Sequence, residues 1–140
     1  MTTILCSDLR FPLVQVEFHG NLRDEDFDAY LAFLGRAHDL RQTWGLLLDG
    51  THVRGVSALQ RKRMANFLHE HDALARRHCA GTAFVIDSPL VRGTLTAIFW
   101  FQKQPTPYVI VATREQALNW LHAQIDRHDA AKNSHQTRRT

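Results

Sequence analysis

Three apolar runs set the pattern of the chain. They are Trp44-Gly45-Leu46-Leu47-Leu48-Asp49, Ala80–Asp87 and Tyr108–Ala112. Each lacks the polar alternation of a half-exposed strand, and the first two end in an acid. Unbroken apolar runs of this length read as strands buried on both faces of a parallel sheet. Two further strands are predicted ahead of them. Thr3–Cys6 is short and apolar, and Pro12–His19 alternates, with Val14, Val16 and Phe18 on one side and Gln15, Glu17 and His19 on the other. The intervening segment contains Asp8 and Pro12 and predicts a hairpin with a longer loop, and Pro12 suits an edge strand.

Between the strands the apolar period changes to that of a helix. Asn21 is placed to cap a helix whose first turn holds Asp24, Glu25 and Asp26, against the positive end of its dipole. Phe27, Tyr30, Leu31, Leu34 and His38 make its inner face, and His38 there reads as a half-buried histidine rather than a ligand. Gly50 to Val56 reads as a glycine-bracketed loop. A capping box, Ser57-Ala58-Leu59-Gln60, then opens a basic amphipathic helix running towards His78. Ser88-Pro89 starts a third helix, apolar nearly all round to about Phe101, and Thr113-Arg114-Glu115-Gln116 repeats the capping box ahead of a last helix. That helix carries an inner stripe of Ala117, Leu118, Leu121 and Ile125. The order is β-β-α-β-α-β-α-β-α, which implies right-handed crossovers and a mostly parallel five-stranded α/β sheet with an antiparallel N-terminal edge strand. Residues 1–128 form one domain on this reading. Residues 129–140, polar and without an apolar period, are expected to be a disordered tail.

Composition narrows the function classes. The net charge of +3 is too weak to mark a nucleic-acid stripe, and the longest apolar run, near Leu95–Phe101, is far short of a membrane span. Cys6 and Cys79 lack metal or redox spacing. With no signal peptide recognised, reduced thiols and a cytoplasmic location are expected.

The order of elements and several local patterns resemble the SpoIIAA-like branch of the STAS/SEC14-type domains. The likeness is carried by Trp44-Gly45-Leu46-Leu47-Leu48-Asp49, by Cys79-Ala80-Gly81-Thr82-Ala83-Phe84-Val85, by Ser88-Pro89-Leu90-Val91-Arg92-Gly93 with Leu95-Thr96-Ala97-Ile98, and by the closing stretch from Ala112 to Leu121. It implies a SpoIIAA-like (STAS-type) domain with strands added in sequence as a β-α superhelix. It implies little chemistry. The anti-anti-sigma relatives carry a phosphorylatable serine in an Asp-Ser-Ser-Gly type turn. Ser57 corresponds in position, but the preceding acid is missing and Ala58 follows, so helix capping is the expected role.

In open α/β sheets ligands sit beyond the carboxyl ends of the strands. Those ends here carry Asp49, His52, Arg54 and Ser57, then Asp87, Ser88 and Arg92, then Thr113 and Arg114. Three helix starts face the same rim, which suits an anion, and Arg54 or Arg92 would grip a carboxylate or phosphate. The same residues allow a structural reading, in which Asp49 and Asp87 accept loop N–H groups and the arginines pair with them. No complete catalytic set is present. A receiver domain would need paired acids at the first strand and a lysine after the last, and Asp8 alone and Thr113-Arg114 do not supply them. Neither a metal motif nor a nucleophile elbow exists: His71 and His78 lie two helical turns apart, about 10.5 Å. No cofactor and no metal are expected.

The expected role is a non-enzymatic cytosolic regulatory domain acting through protein-protein contacts, as a homodimer joined through Phe99, Trp100 and Phe101 of the apolar helix. The alternative is a binder of a small anionic or amphipathic, lipid-like ligand at the carboxyl ends of the parallel strands. An enzyme would need Asp49, His52 and Asp87 to converge on one substrate.

Overall fold

The structure, a computed structural model, describes the backbone of residues 2–101 and 103–139, and side chains except those of residues 94, 97–101 and 134–139. Its elements are β1 (Ile4–Arg10), β2 (Leu13–Asn21), α1 (Asp24–Asp39), β3 (Trp44–Gly55), α2 (Ala58–Glu70), α3 (Asp72–His78), β4 (Cys79–Val85), α4 (Pro89–Phe101), β5 (Tyr108–Val111) and α5 (Arg114–Arg139). The strands lie in chain order, β1-β2-β3-β4-β5. β1 and β2 are antiparallel, and every other pair is parallel. The three apolar runs therefore lie side by side and point the same way, but only the first two are buried on both faces. β5 is an edge strand, with Tyr108 exposed and Val109 to Val111 half-buried, rather than the buried strand its composition predicts.

Side-chain alternation along the central strands divides the core in two. Leu46 and Leu48 of β3 and Phe84 of β4 pack with Val14 and Val16 beneath α1, α2 and α3. Leu47, Ala83 and Val85 point the other way, onto Ala117, Leu121 and Ile125 of α5. Those three residues recur every four positions, so they form one stripe along the helix. Leu47, Ala117 and Leu121 have no exposed surface. Gly45 and Gly81 face α5 as well. A Cβ at Gly81 would lie 2.7 Å from Trp120 Cη2, and one at Gly45 3.1 Å from Ile125 Cδ1. Two glycines on adjacent strands thus let α5 settle close to the sheet.

Several local expectations are corrected. The β1–β2 connection is a tight turn at Phe11-Pro12 rather than a longer loop, with the Phe11-Pro12 peptide cis. Pro12 sits in that turn, not on an edge strand. Asn21 does not cap α1: it ends β2, opposite Gly55, and Arg23 takes the N-cap position without a side-chain bond. The segment after Asp49 is not a loop, because β2 extends alongside it and pairs His19 with His52 and Gly20 with Val53. The helix opening at Ser57 breaks at His71 into α2 and α3. His38 is fully buried rather than half-buried, at 5% exposure. The expected disordered tail from 129 is helical to Arg139, and Lys132 anchors it to Thr43 and His78. The side chains of Phe99, Trp100 and Phe101, expected to form a dimer interface, lie outside the described residues.

Candidate ligand cavity and strand-end rim

The expected rim is divided between the two faces of the sheet. Asp49 shares its face with Leu47, the face that α5 covers. Asp49 Oδ1 accepts from the backbone N and Oγ1 of Thr51 at 3.0 and 2.7 Å, and its Oδ2 accepts from Arg114 Nη1 at 2.9 Å. Arg114 also reaches Glu17 at 3.3 Å and Gln15. Burial raises the Asp49 pKa, but the Thr51 and Arg114 hydrogen bonds outweigh it, so the carboxyl sits below its ordinary value. Asp49 and Arg114 therefore satisfy each other, as the structural reading of the rim expects. Replacing Arg114 with Ala is expected to cost about 1–2 kcal/mol, the range for charged hydrogen bonds reduced for partial exposure. The lost stability should be the part present above the carboxylate range, so the deficit should shrink as the pH falls below it. Urea titrations at pH 7 and pH 3 check this.

The other rim residues are held separately. Because β3 continues to Gly55, Arg54 lies about 16 Å along the strand from Asp49. His52 is exposed and stacks on His19, with ring centroids 5.5 Å apart. Ser57 caps α2, its Oγ accepting from Gln60 N at 3.1 Å, while Gln60 Oε1 accepts from Ser57 N at 3.0 Å. Ser88 Oγ accepts from Val91 N at 3.4 Å, and Thr113 Oγ1 from Gln116 N at 3.2 Å. Three helix starts are thus served by their own cap side chains. Arg92 donates to the Ile86 carbonyl at 3.3 Å, and Asp87 is exposed. Asp49 is thus engaged by Arg114 and Thr51, and His52 by His19, while Asp87 is exposed beyond the end of β4.

The opposite face holds a feature that no sequence pattern announces. A cavity of about 370 Å³ lies between the sheet and the α1, α2 and α4 layer. Leu46, Leu48, Phe84 and Ile86 line it from the sheet side, Phe67 and Met64 from α2, and Val91 and Leu95 from α4. Arg54 and Arg61, both exposed, also border it and mark where it meets the surface. Arg61 Nη1 is engaged with the Val56 carbonyl at 2.7 Å. Arg54 makes no hydrogen bond or ion pair among the described residues. The volume falls within the roughly 300–1,000 Å³ of small-molecule sites. Were such a cavity sealed and empty, it would cost about 9 kcal/mol, comparable with the entire net stability of a small domain. Arg54 is thus the rim candidate that meets this cavity. Among the described residues, no group of three His, Cys, Asp or Glu side chains is placed to hold a metal ion.

A crystal structure of an uncharacterized protein of the DUF3478 family from Shewanella loihica PV-4, described as having a SpoIIAA-like fold, superposes with a TM-score of 0.67. The match covers 86% of this chain and 95% of that one, at 20% sequence identity. The fold is SpoIIAA-like. At that identity the likeness speaks for the fold alone. No family model and no curated protein matches the chain. Among the described residues of this SpoIIAA-like domain, no helix is long and apolar enough to cross a membrane.

Proposed function

We propose that this SpoIIAA-like domain is a non-enzymatic binder of a small amphipathic ligand. The apolar part of the ligand would occupy the cavity between the sheet and the α2/α4 layer, and an anionic head group would meet Arg54. The observation that carries the reading is an apolar cavity bordered by an arginine that pairs with nothing among the described residues. A guanidinium presents a planar donor fork suited to a carboxylate or phosphate. Apolar walls with a few placed polar groups are the usual make-up of such sites.

The test uses dodecanoate and dodecanol as probes in calorimetric titrations. Arg54→Ala is expected to weaken dodecanoate binding about tenfold, about 1.4 kcal/mol, and to leave dodecanol unaffected. Ala65→Phe, which adds a ring to the cavity wall from α2, should weaken both. Equal binding by all three proteins, or no binding by any, would remove the proposal.

A second reading is a regulator that acts through protein contacts. It is favoured by the SpoIIAA-like fold and by Leu90 on α4, which is 81% exposed beside the cavity. On that reading a partner's apolar side chain, or a second copy of the chain, would enter where the ligand does. Sedimentation of the protein with and without dodecanoate separates the two: a ligand binder keeps one oligomeric state, whereas competition for the cavity would shift it.

A further inference from the structure

The opposite pole of the sheet, where β3 and β4 begin, gathers positive charge. Arg41 follows α1, Arg77 and His78 end α3, and Arg127, His128 and Lys132 come from α5. Lys132 Nζ donates to Thr43 Oγ1 at 3.0 Å and lies 3.2 Å from His78 Nδ1. An ammonium can only donate, so His78 accepts at Nδ1 and is a neutral ring with its proton on Nε2. Two of the three ammonium protons are thereby used, and among the described residues the third has no partner. His128 Nε2 lies 2.9 Å from the Arg77 carbonyl and must donate to it. This bond ties α5 to α3.

The pole has little compensating charge. Among the described residues, Arg41, Arg77, Arg127 and Lys132 form no ion pair with a carboxylate. Burial, and then Lys132, Arg77, Arg41 and His128, hold His78 below its ordinary pKa, with no carboxylate acting in the other direction. Asp129 acts on His128 and Asp39 on His38. Arg41 also holds a left-handed backbone, φ 54°, which favours glycine or asparagine. Beside this cluster a surface depression of about 380 Å³ lies between α3 and α5, walled by Pro105 and Pro107 and bordered by Arg76, Arg127 and His128. Arg76 is paired with Asp72 at 2.8 Å. Helix dipoles account for cations at the ends of α1 and α3, but not for Arg127, His128 and Lys132 inside α5.

We propose that this depression, bordered by Arg127 and His128 and set beside the Arg77 and Lys132 charges that surround His78, binds a phosphate-type oxyanion, carried either by a soluble molecule or by a lipid head group. The depression adjoins the amphiphile cavity, sharing Cys79, Pro105 and Thr106 with its lining, but Arg127 and His128 border only the depression, and its test does not depend on the cavity being filled. Pyrophosphate is titrated into the full chain by calorimetry while the histidine resonances are followed by NMR. Saturable binding is expected, with an upward shift of the His78 midpoint. In the Arg77→Ala/Arg127→Ala double variant, which removes two exposed side chains, the dissociation constant should rise at least tenfold. Co-sedimentation with vesicles of phosphatidic acid, compared with phosphatidylcholine alone, distinguishes the sources. Pyrophosphate binding assigns the soluble source, and binding confined to phosphatidic acid vesicles assigns the head group. Absence of both, or unchanged affinity in the double variant, overturns the proposal.

Discussion

Lowering the pH from about 6.5 to about 4 is expected to cost this fold about 3 kcal/mol, most of it traceable to His38. The side chain is 5% exposed. It packs edge-on against Trp44, with centroids 5.1 Å apart, and stacks on His71 at 5.2 Å. Phe67 completes the surroundings at 5.9 Å. Burial lowers the His38 pKa first. His71 and His78 add to the effect and Asp39 opposes it, leaving the group at about 4. In the unfolded chain the ring titrates near its ordinary 6.5. Between those two values the unfolded state binds more protons, so stability rises with pH. The contribution is fully present above about 6.5 and is lost as the pH falls towards 4. His78 and His128 are also held below their ordinary values and act in the same direction. Urea midpoints measured from pH 7.5 to 4.5 should fall steeply in the parent protein. In His38→Phe they should fall much less, with only the slope from His78 and His128 remaining. An equal slope in both would show that the ring at this position is not the group that titrates.

Gly81→Ala is expected to destabilise the domain by about 2 kcal/mol, the mid-range for overpacking a tight core. Gly81 lies in β4, the strand whose every residue is buried. An added methyl would meet the Trp120 ring at 2.7 and 2.9 Å, and the Pro107 carbonyl at 3.2 Å. The ring belongs to a helix fixed by Ala117, Leu121 and Ile125, so it can turn only by giving up its own contacts. The carbonyl belongs to the backbone that accepts from Thr82 N at 3.0 Å, and it has less room to move. The double variant Gly81→Ala/Trp120→Leu should recover about 1 kcal/mol relative to the sum of the single changes, as directly contacting pairs do. Chemical denaturation of the four proteins completes the cycle. Additive effects would place α5 farther from the sheet than described.

The strand order and helix starts were legible because they depend on local pattern. The Trp44 and Ala80 runs are buried on both faces, as an unbroken apolar composition in a covered parallel sheet requires, and the boxes at Ser57 and Thr113 are formed by residues three apart. The equally apolar Tyr108 run proved to be a half-exposed edge strand, because composition does not say which strand lies last. The failures share a cause in pairing between distant segments. Gly50 and Gly55 made the second half of β3 look like a loop, yet its partner, the Gly20 end of β2, lies some thirty residues earlier. The same extension took Asn21 into the sheet and away from the helix it was expected to cap. At the rim, the residue types were those of an anion site, but nothing local says that Arg114 meets Asp49 from 65 positions away. Nor does anything local say that Arg54 emerges on the other face. The cavity could not be read at all: a pattern of apolar residues reports which side chains are buried, not whether they fill the space they enclose.

The central claim is that the space over Leu46 and Leu48, and not the α5 side of the sheet, receives an apolar ligand. Its most direct test is an NMR measurement of contacts between unlabelled dodecanoate and the ¹³C-labelled methyl groups of the full chain. Contacts are predicted with Leu46, Leu48, Val91 and Leu95, and none with Leu47 or Leu121. A saturating titration that yields no methyl contacts, or contacts confined to Leu47 and Leu121, would contradict it.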